Sequence, residues 1–209
     1  MEINGNPFRQ RRFRRFLKLA DRLQEIGRPQ RIIDIGGTVV YWESLRHLWG
    51  CYYFDITIVN RDLIGEYPGY TLVQGDACSL HQFPDRCFDI VHSNSVIEHV
   101  GDWSNAKAMA EEVRRIADHY FVQTPNFGFP IEPHFRTPFF HWLPEPTRAS
   151  TLLRHGRLGF RAAENYDAAM AMVQEVHLLT MRQMKRLFPD AAIEREWFGP
   201  LVKSLIAIR

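Results

Sequence analysis

Cysteine, long apolar runs and repeats are all scarce or missing in this chain. Its 209 residues hold three cysteines, Cys51, Cys78 and Cys87. They form no CxxC pair and cannot all be bridged, so they read as reduced thiols in a cytoplasmic protein. No apolar run approaches the roughly 18 residues of a membrane span. The arginine-rich start is not a secretory signal. Neither repeats nor a low-complexity linker interrupt the chain. What is present is core-forming: 45% of residues are hydrophobic and 13% aromatic, which excludes global disorder.

The near-neutral net charge of +2 conceals a split. Residues 1–31 carry nine basic and three acidic side chains, +6, and the remainder sums to −4. The basic segment reads as one amphipathic helix, with Asn6 as N-cap, Pro7 at the first helical position, and Gly27 and Pro29 as the stop. Phe13, Phe16, Leu17, Ala20, Leu23 and Ile26 share one face, and Arg11, Arg14, Arg15, Lys18 and Arg22 share the other. The expected organisation is an N-terminal helical segment, 1–29, followed by one domain, 30–209.

Within that domain strands alternate with helices or long loops. Strands are expected at Arg31–Ile35, Tyr52–Val59, Tyr70–Gln74, Phe88–His92 and Tyr120–Gln123. Helices are expected at Trp42–Leu48, Trp103–Ala117, Ala162–Gln174 and Thr180–Phe188. Two alternating runs, Ala191–Phe198 and Leu201–Ile208, are joined by Gly199-Pro200 alone, which implies an antiparallel hairpin. The pattern specifies an α/β three-layer sandwich whose ligand lies at the carboxyl ends of the strands.

The motifs fall in one order: Arg31–Thr38 (RIIDIGGT), Gly75-Asp76-Ala77, Phe88–Val100 (FDIVHSNSVIEHV), Thr124–His134 (TPNFGFPIEPH) and Phe198–Leu205 (FGPLVKSL). Together they resemble the class I S-adenosylmethionine-dependent methyltransferases, in particular the small-molecule "type 11" group, over about residues 30–209. The residues support the likeness. A strand ending in Asp-x-Gly-Gly lets the backbone pass close to a ligand, and the lack of a third glycine disfavours a pyrophosphate cofactor.

The resemblance implies a Rossmann-like, mostly parallel seven-stranded sheet with a C-terminal antiparallel hairpin, and S-adenosyl-L-methionine as cofactor. It implies that Asp34, Gly36 and Gly37 line the methionine and ribose portion. Asp76 would accept from the adenine amino group with the Ala77 backbone beside the ring, and Ser93 and Asn94 would sit by the methionine tail. Thr38 and Asn60 depart from the pattern, which has glycine at the first position and an acidic residue gripping the ribose at the second; Asn60 remains a cofactor-binding candidate, since its amide can accept from one ribose hydroxyl and donate to another.

Residues 125–148 hold six of the twelve prolines and six aromatic side chains. A stretch this long without secondary structure reads as the acceptor loop. If the acceptor is a hydroxyl a base assists, and His134, with Glu132 two residues before it, and His99 are the candidates, with His141 reading as structural. No metal site is expected. The leading function is methyl transfer to an oxygen or nitrogen of a small molecule. Neither an (Asp/Asn)-Pro-Pro-(Tyr/Phe/Trp) tetrapeptide nor a Pro-Cys dipeptide is present, so DNA is not an expected partner. The alternative is a methyltransferase-fold binding protein whose basic helix contacts RNA or an anionic membrane surface, with catalysis lost or secondary. Oligomeric state is left open.

Overall fold

The computed structural model describes residues 7–62, 65–135, 137–154 and 162–209. Helix α1 spans Pro7–Leu23. Phe13, Phe16, Leu17 and Ala20 are buried along it, while Arg11, Arg14, Lys18 and Arg22 are exposed. The N-cap expected at Asn6 lies outside the described residues. Ile26, expected on the apolar face, is fully exposed because the helix ends three residues before it.

The strands that follow are β1 (Gln30–Ile35), β2 (Phe54–Asn60), β3 (Thr71–Gln74), β4 (Ile90–Asn94) and β5 (His119–Pro125). The closing pair is β8 (Ala192–Phe198) and β9 (Leu201–Ile208). They build one seven-stranded sheet in the order β3-β2-β1-β4-β5-β9-β8, mostly parallel with the C-terminal strands antiparallel. The resemblance had implied this architecture. Strand β4 begins two residues later than expected, because Asp89 is committed before it: its carboxylate accepts from the Arg31 backbone at 2.8 Å and pairs with Arg28 at 2.7 Å. The helix expected at Trp42–Leu48 is two short ones, α2 (Val39–Ser44) and α3 (Arg46–Trp49). Helix α4 covers Trp103–Ile116.

The chain divides into two compact units, the first reaching to Asn94 and including Ala108–Val122 and Ile208–Arg209, the second comprising Ser95–Lys107 and Gln123–Ala207. The division does not fall between residues 29 and 30. In the first unit the α1 rings belong to the core: Phe16 packs at 5.0 Å from His92, 6.0 Å from Trp42 and 6.0 Å from Phe121. Burying each such phenylalanine contributes about 1.5–3 kcal/mol, so α1 is a structural member of this unit.

The second unit corrects the reading of 125–148 as one long loop. That stretch contains a small antiparallel hairpin, β6 (Ile131–Glu132) with β7 (Thr137–Pro138), and a 3-10 turn at Phe140–Trp142. It also contains the start of a helix that was not expected, α5 (Glu145–Arg154). Pro144 and Pro146 look like breakers, but proline in a first helical turn gives up no intrahelical bond. Phe135 and Phe140 pack with Ala149 and Leu152 of α5 and with Ala169 and Val173 of α6 (Tyr166–Gln174). Helix α7 (Met181–Leu187) opens with a reciprocal cap between Thr180 and Gln183. Among the described residues no helix is long and apolar enough to cross a membrane.

Candidate active site

Strand register gathers the first group of polar residues. Ile35 pairs with Val59, Asn60 with Gln74, and Asp34 with His92, so the turns after these parallel strands leave from one edge of the first unit. At that edge Gly36 has φ +73°, a left-handed conformation that costs glycine nothing. Gly37 has no room for a side chain, since a Cβ there would stand 1.8 Å from Asp34 Oδ2.

Both departures from the family pattern have a local use. Thr38 caps α2, its hydroxyl accepting from the Tyr41 backbone at 3.2 Å. The Asn60 amide donates to the carbonyls of Gly37 at 3.0 Å and Gly36 at 3.3 Å. A carboxylate has no proton to donate to either, so asparagine here clasps the glycine turn.

Asp34 turns inward. Its side chain is 1% exposed, with Oδ1 at 2.7 Å from His92 Nδ1 and Oδ2 accepting from Trp42 Nε1 at 2.7 Å. The carboxylate that the sequence places beside a cofactor is thus spent on holding β1, β4 and α2 together. Asp76 remains half-exposed, with Oδ2 bonded to Arg61 at 2.9 Å and Oδ1 accepting from the Cys78 backbone at 2.9 Å. The Cys78 N–H first, then the Arg61 guanidinium, hold its pKa below the ordinary carboxylate value despite some burial. Ala77 beside it is partly exposed. Ser93 is buried and its hydroxyl donates to the Ile35 carbonyl at 3.0 Å. Asn94 accepts from Arg12 at 2.5 Å.

The second unit holds the other group. Glu132 Oε1 lies 2.8 Å from His134 Nδ1, and His134 Nε2 lies 3.1 Å from His99 Nε2. The rings stand at 89° to each other. Glu132 is buried, and its second oxygen accepts from the Phe135 backbone, which fixes the carboxylate. Burial pulls the His134 pKa down, but the Glu132 hydrogen bond and the negative charge around it outweigh this and leave it above the usual value. Burial, then the neighbouring His134, push the His99 pKa below its usual value. Glu98 is fully buried and accepts from the Thr124 hydroxyl at 2.9 Å. His141 bonds the Phe127 carbonyl at 2.8 Å, a structural use. A cavity of about 190 Å³ has Glu132 in its wall together with Phe127, Phe140, His141, Arg148 and His177.

The structure therefore brings together Gly36, Gly37, Asn60, Asp76 and Asn94 at one strand edge, and Glu132, His134 and His99 in one chain of hydrogen bonds. Sequence reasoning missed His92, Trp42, Arg61 and Arg12. The first three depend on register and loop path, which a sequence does not state. Arg12 had a signal: it precedes Phe16 and Ala20 by four and eight residues, so the helical period puts it on the buried stripe, where it is 8% exposed.

Comparison with known proteins agrees with this architecture. Residues 35–119 match the family model of a methyltransferase domain. No curated protein matches the sequence. Among solved structures the fold is similar to the citrinin polyketide synthase CMeT domain, with TM-score 0.58 and 15% identity over 99% of this chain and 52% of that one. It is similar to phosphoethanolamine N-methyltransferase 2 of Haemonchus contortus, solved with phosphomonomethylethanolamine and S-adenosylhomocysteine, with TM-score 0.52 and 15% identity over 88% of this chain. An O-methyltransferase family protein from Burkholderia thailandensis aligns with TM-score 0.51 and 13% identity over 97% of this chain and 58% of that one. The chain spans 38% of the length of the Haemonchus enzyme. These likenesses, at 13–15% identity, show a methyltransferase-type fold.

Proposed function

We propose that this protein is a class I methyltransferase that moves the methyl group of S-adenosyl-L-methionine to an oxygen or nitrogen of a small-molecule acceptor. The observation that carries the reading is the strand edge at Gly36-Gly37, where Gly36 is left-handed, a Cβ at Gly37 would strike Asp34, and Asn60, Asp76 and Asn94 supply polar groups at or just after neighbouring strand ends. These residues fit a cofactor with an adenosine and an amino-acid tail. The Gly36-Gly37 backbone, Asn60 and Asp76 with Ala77 would hold the adenosine part. Asn94, with Ser93 behind it and Arg12 beside it, would hold the tail. Asp34 acts through Trp42 and His92 as a positioning residue for the glycine turn. The bound cofactor supplies a methyl carbon already activated by its sulfonium, so the protein's share is alignment and exclusion of water.

A hydroxyl or amine acceptor must also lose a proton, and the second unit offers a receiver. With its Nδ1 proton directed at Glu132, His134 keeps an Nε2 lone pair, and His99 extends the chain by one ring. The cavity that shares Glu132 is the candidate acceptor pocket. Calorimetric titration with S-adenosyl-L-methionine tests the cofactor half of the reading. The expected result is one site per chain, and no heat or thermal shift at millimolar cofactor would refute it. A panel of sugars, phenols and amines scored by S-adenosylhomocysteine release then identifies the acceptor.

The exposed Arg11, Arg14, Lys18 and Arg22 face of α1 suits an RNA or an anionic membrane surface as an additional partner. Salt-sensitive co-sedimentation with anionic vesicles is the expected outcome for a membrane surface.

A further inference from the structure

One carboxylate oxygen of Glu98 and one ring nitrogen each of His99 and His134 lie within 4.8 Å of one another, the one group of this kind among the described residues. We infer that this cluster binds a divalent transition-metal ion, zinc being the natural choice, through Nε2 of His99, Nε2 of His134 and the Glu98 carboxylate, leaving an open position for an oxygen ligand.

Spacing is the first support. Ligand bonds of about 2.0–2.2 Å in a tetrahedral zinc shell put neighbouring donors about 3.3 Å apart. The two Nε2 atoms already stand 3.1 Å apart, and the Glu98 oxygen lies within 4.8 Å of both, so it must close in to complete the shell. The second support lies behind the ligands. Metal-bound imidazoles direct their other nitrogen at a carboxylate or backbone group, which fixes the ring and the tautomer. His134 meets this pattern, with Nδ1 on Glu132 at 2.8 Å. Glu132 is itself pinned by the Phe135 N–H.

Burial supplies the third argument. A fully buried carboxylate is costly unless charge is brought to it, and a cation between Glu98 and two imidazoles does that. Both histidines are partly exposed, which leaves a route in for the ion. Two imidazoles and one carboxylate suit zinc, cobalt, iron or manganese, whereas magnesium and calcium prefer oxygen ligands alone. Two histidines, one glutamate and an open position also describe a catalytic zinc shell.

With the His134 Nε2 lone pair on the ion, the ion takes over the removal of the proton from that base, making the O–H of an oxygen at its open position more acidic so that the proton leaves to solvent. That this oxygen belongs to the methyl acceptor rests on the reading under Proposed function. Metal binding itself does not.

The full chain, stripped with a chelator, is titrated with Co²⁺ and Zn²⁺. The expected result is one equivalent of Co²⁺ with visible absorption bands of a four- or five-coordinate site, displaced by Zn²⁺ and indifferent to Mg²⁺. Affinity should fall at least tenfold in Glu98→Gln and in the double variant His99→Ala/His134→Ala, and about 10–100-fold in Glu132→Gln. Absence of Co²⁺ bands in the native chain at about 100 μM metal would overturn the proposal, as would unchanged binding in the double variant or competition by Mg²⁺. The wild-type spectrum keeps the test decisive if a variant fails to fold. Titrating S-adenosyl-L-methionine into the same samples separates the two readings: metal binding without cofactor binding refutes the function alone, and the reverse refutes the metal site alone.

Discussion

Two histidine–carboxylate pairs sit in this molecule at nearly the same distance and serve different ends. In the first unit Asp34 and His92 meet at 2.7 Å with both side chains 1% exposed. Rings close around them: His92 stacks on Phe121 with planes 4° apart, and Phe13 and Trp42 lie edge-on at 6.3 and 5.6 Å. In the second unit Glu132 and His134 meet at 2.8 Å, but His134 is 23% exposed and its far nitrogen meets a second histidine. A sealed pair holds chain segments in place. A partly exposed pair whose far nitrogen meets another imidazole can relay a proton or hold an ion. Exposure and what the far imidazole nitrogen meets separate structure from chemistry here, and distance does not.

His134→Ala tests the open pair with the largest effect. Turnover should fall about 10²–10⁴-fold, the usual worth of a positioned proton-transfer group, with folding stability and cofactor affinity nearly unchanged. Equal losses in all three would make this pair structural and erase the contrast. Asp34→Ala tests the sealed pair. It leaves the Trp42 and His92 donors buried without acceptors and should cost about 2–5 kcal/mol in urea denaturation, whereas Glu132→Gln should cost under about 1 kcal/mol.

Asn60→Asp sharpens the picture at the glycine turn. Resemblance alone favours the acid, but a carboxylate at 3.0–3.3 Å from two carbonyls repels them. Cofactor affinity should fall by about 1–2 kcal/mol in calorimetry, and a gain would restore the ribose-gripping role. Asp76→Ala should cost a similar amount or less, since the group is half-exposed and already shared with Arg61.

The smallest effect is an acid sensitivity confined to the first unit. The Arg115 guanidinium, 2.8 Å away, holds the Glu112 pKa below its ordinary value, with the Leu80 N–H assisting. Its contribution to stability is complete above the usual glutamate pKa of about 4.3 and is lost as pH falls through the lowered folded value. Glu112→Gln should flatten the acid limb of a denaturation curve between about pH 5 and 3.

Much of the fold was legible because hydrophobic period and turn residues are local. The five parallel strands, the hairpin at Gly199-Pro200 and the buried face of α1 follow from side-chain spacing alone. Helix α5 was hidden by Pro144 and Pro146, whose cost depends on where in a helix they fall. The candidate site is legible as a set of residue types: the motifs that hold Gly36-Gly37, Asp76, Glu132, His134 and His99 are all local in the sequence. Their partners are not. Asp34 reads from the sequence as a ligand group, and only the β1–β4 register puts His92 opposite it.

By itself, then, the sequence determined the architecture and the inventory of chemistry, since both rest on interactions between residues near in the chain. Tertiary structure decided which carboxylate is sealed and which is open, what Asn60 and Thr38 are for, and that two histidines 35 residues apart meet at 3.1 Å. Those are facts of burial and of distance between remote segments, and they exist only once the chain has closed on itself.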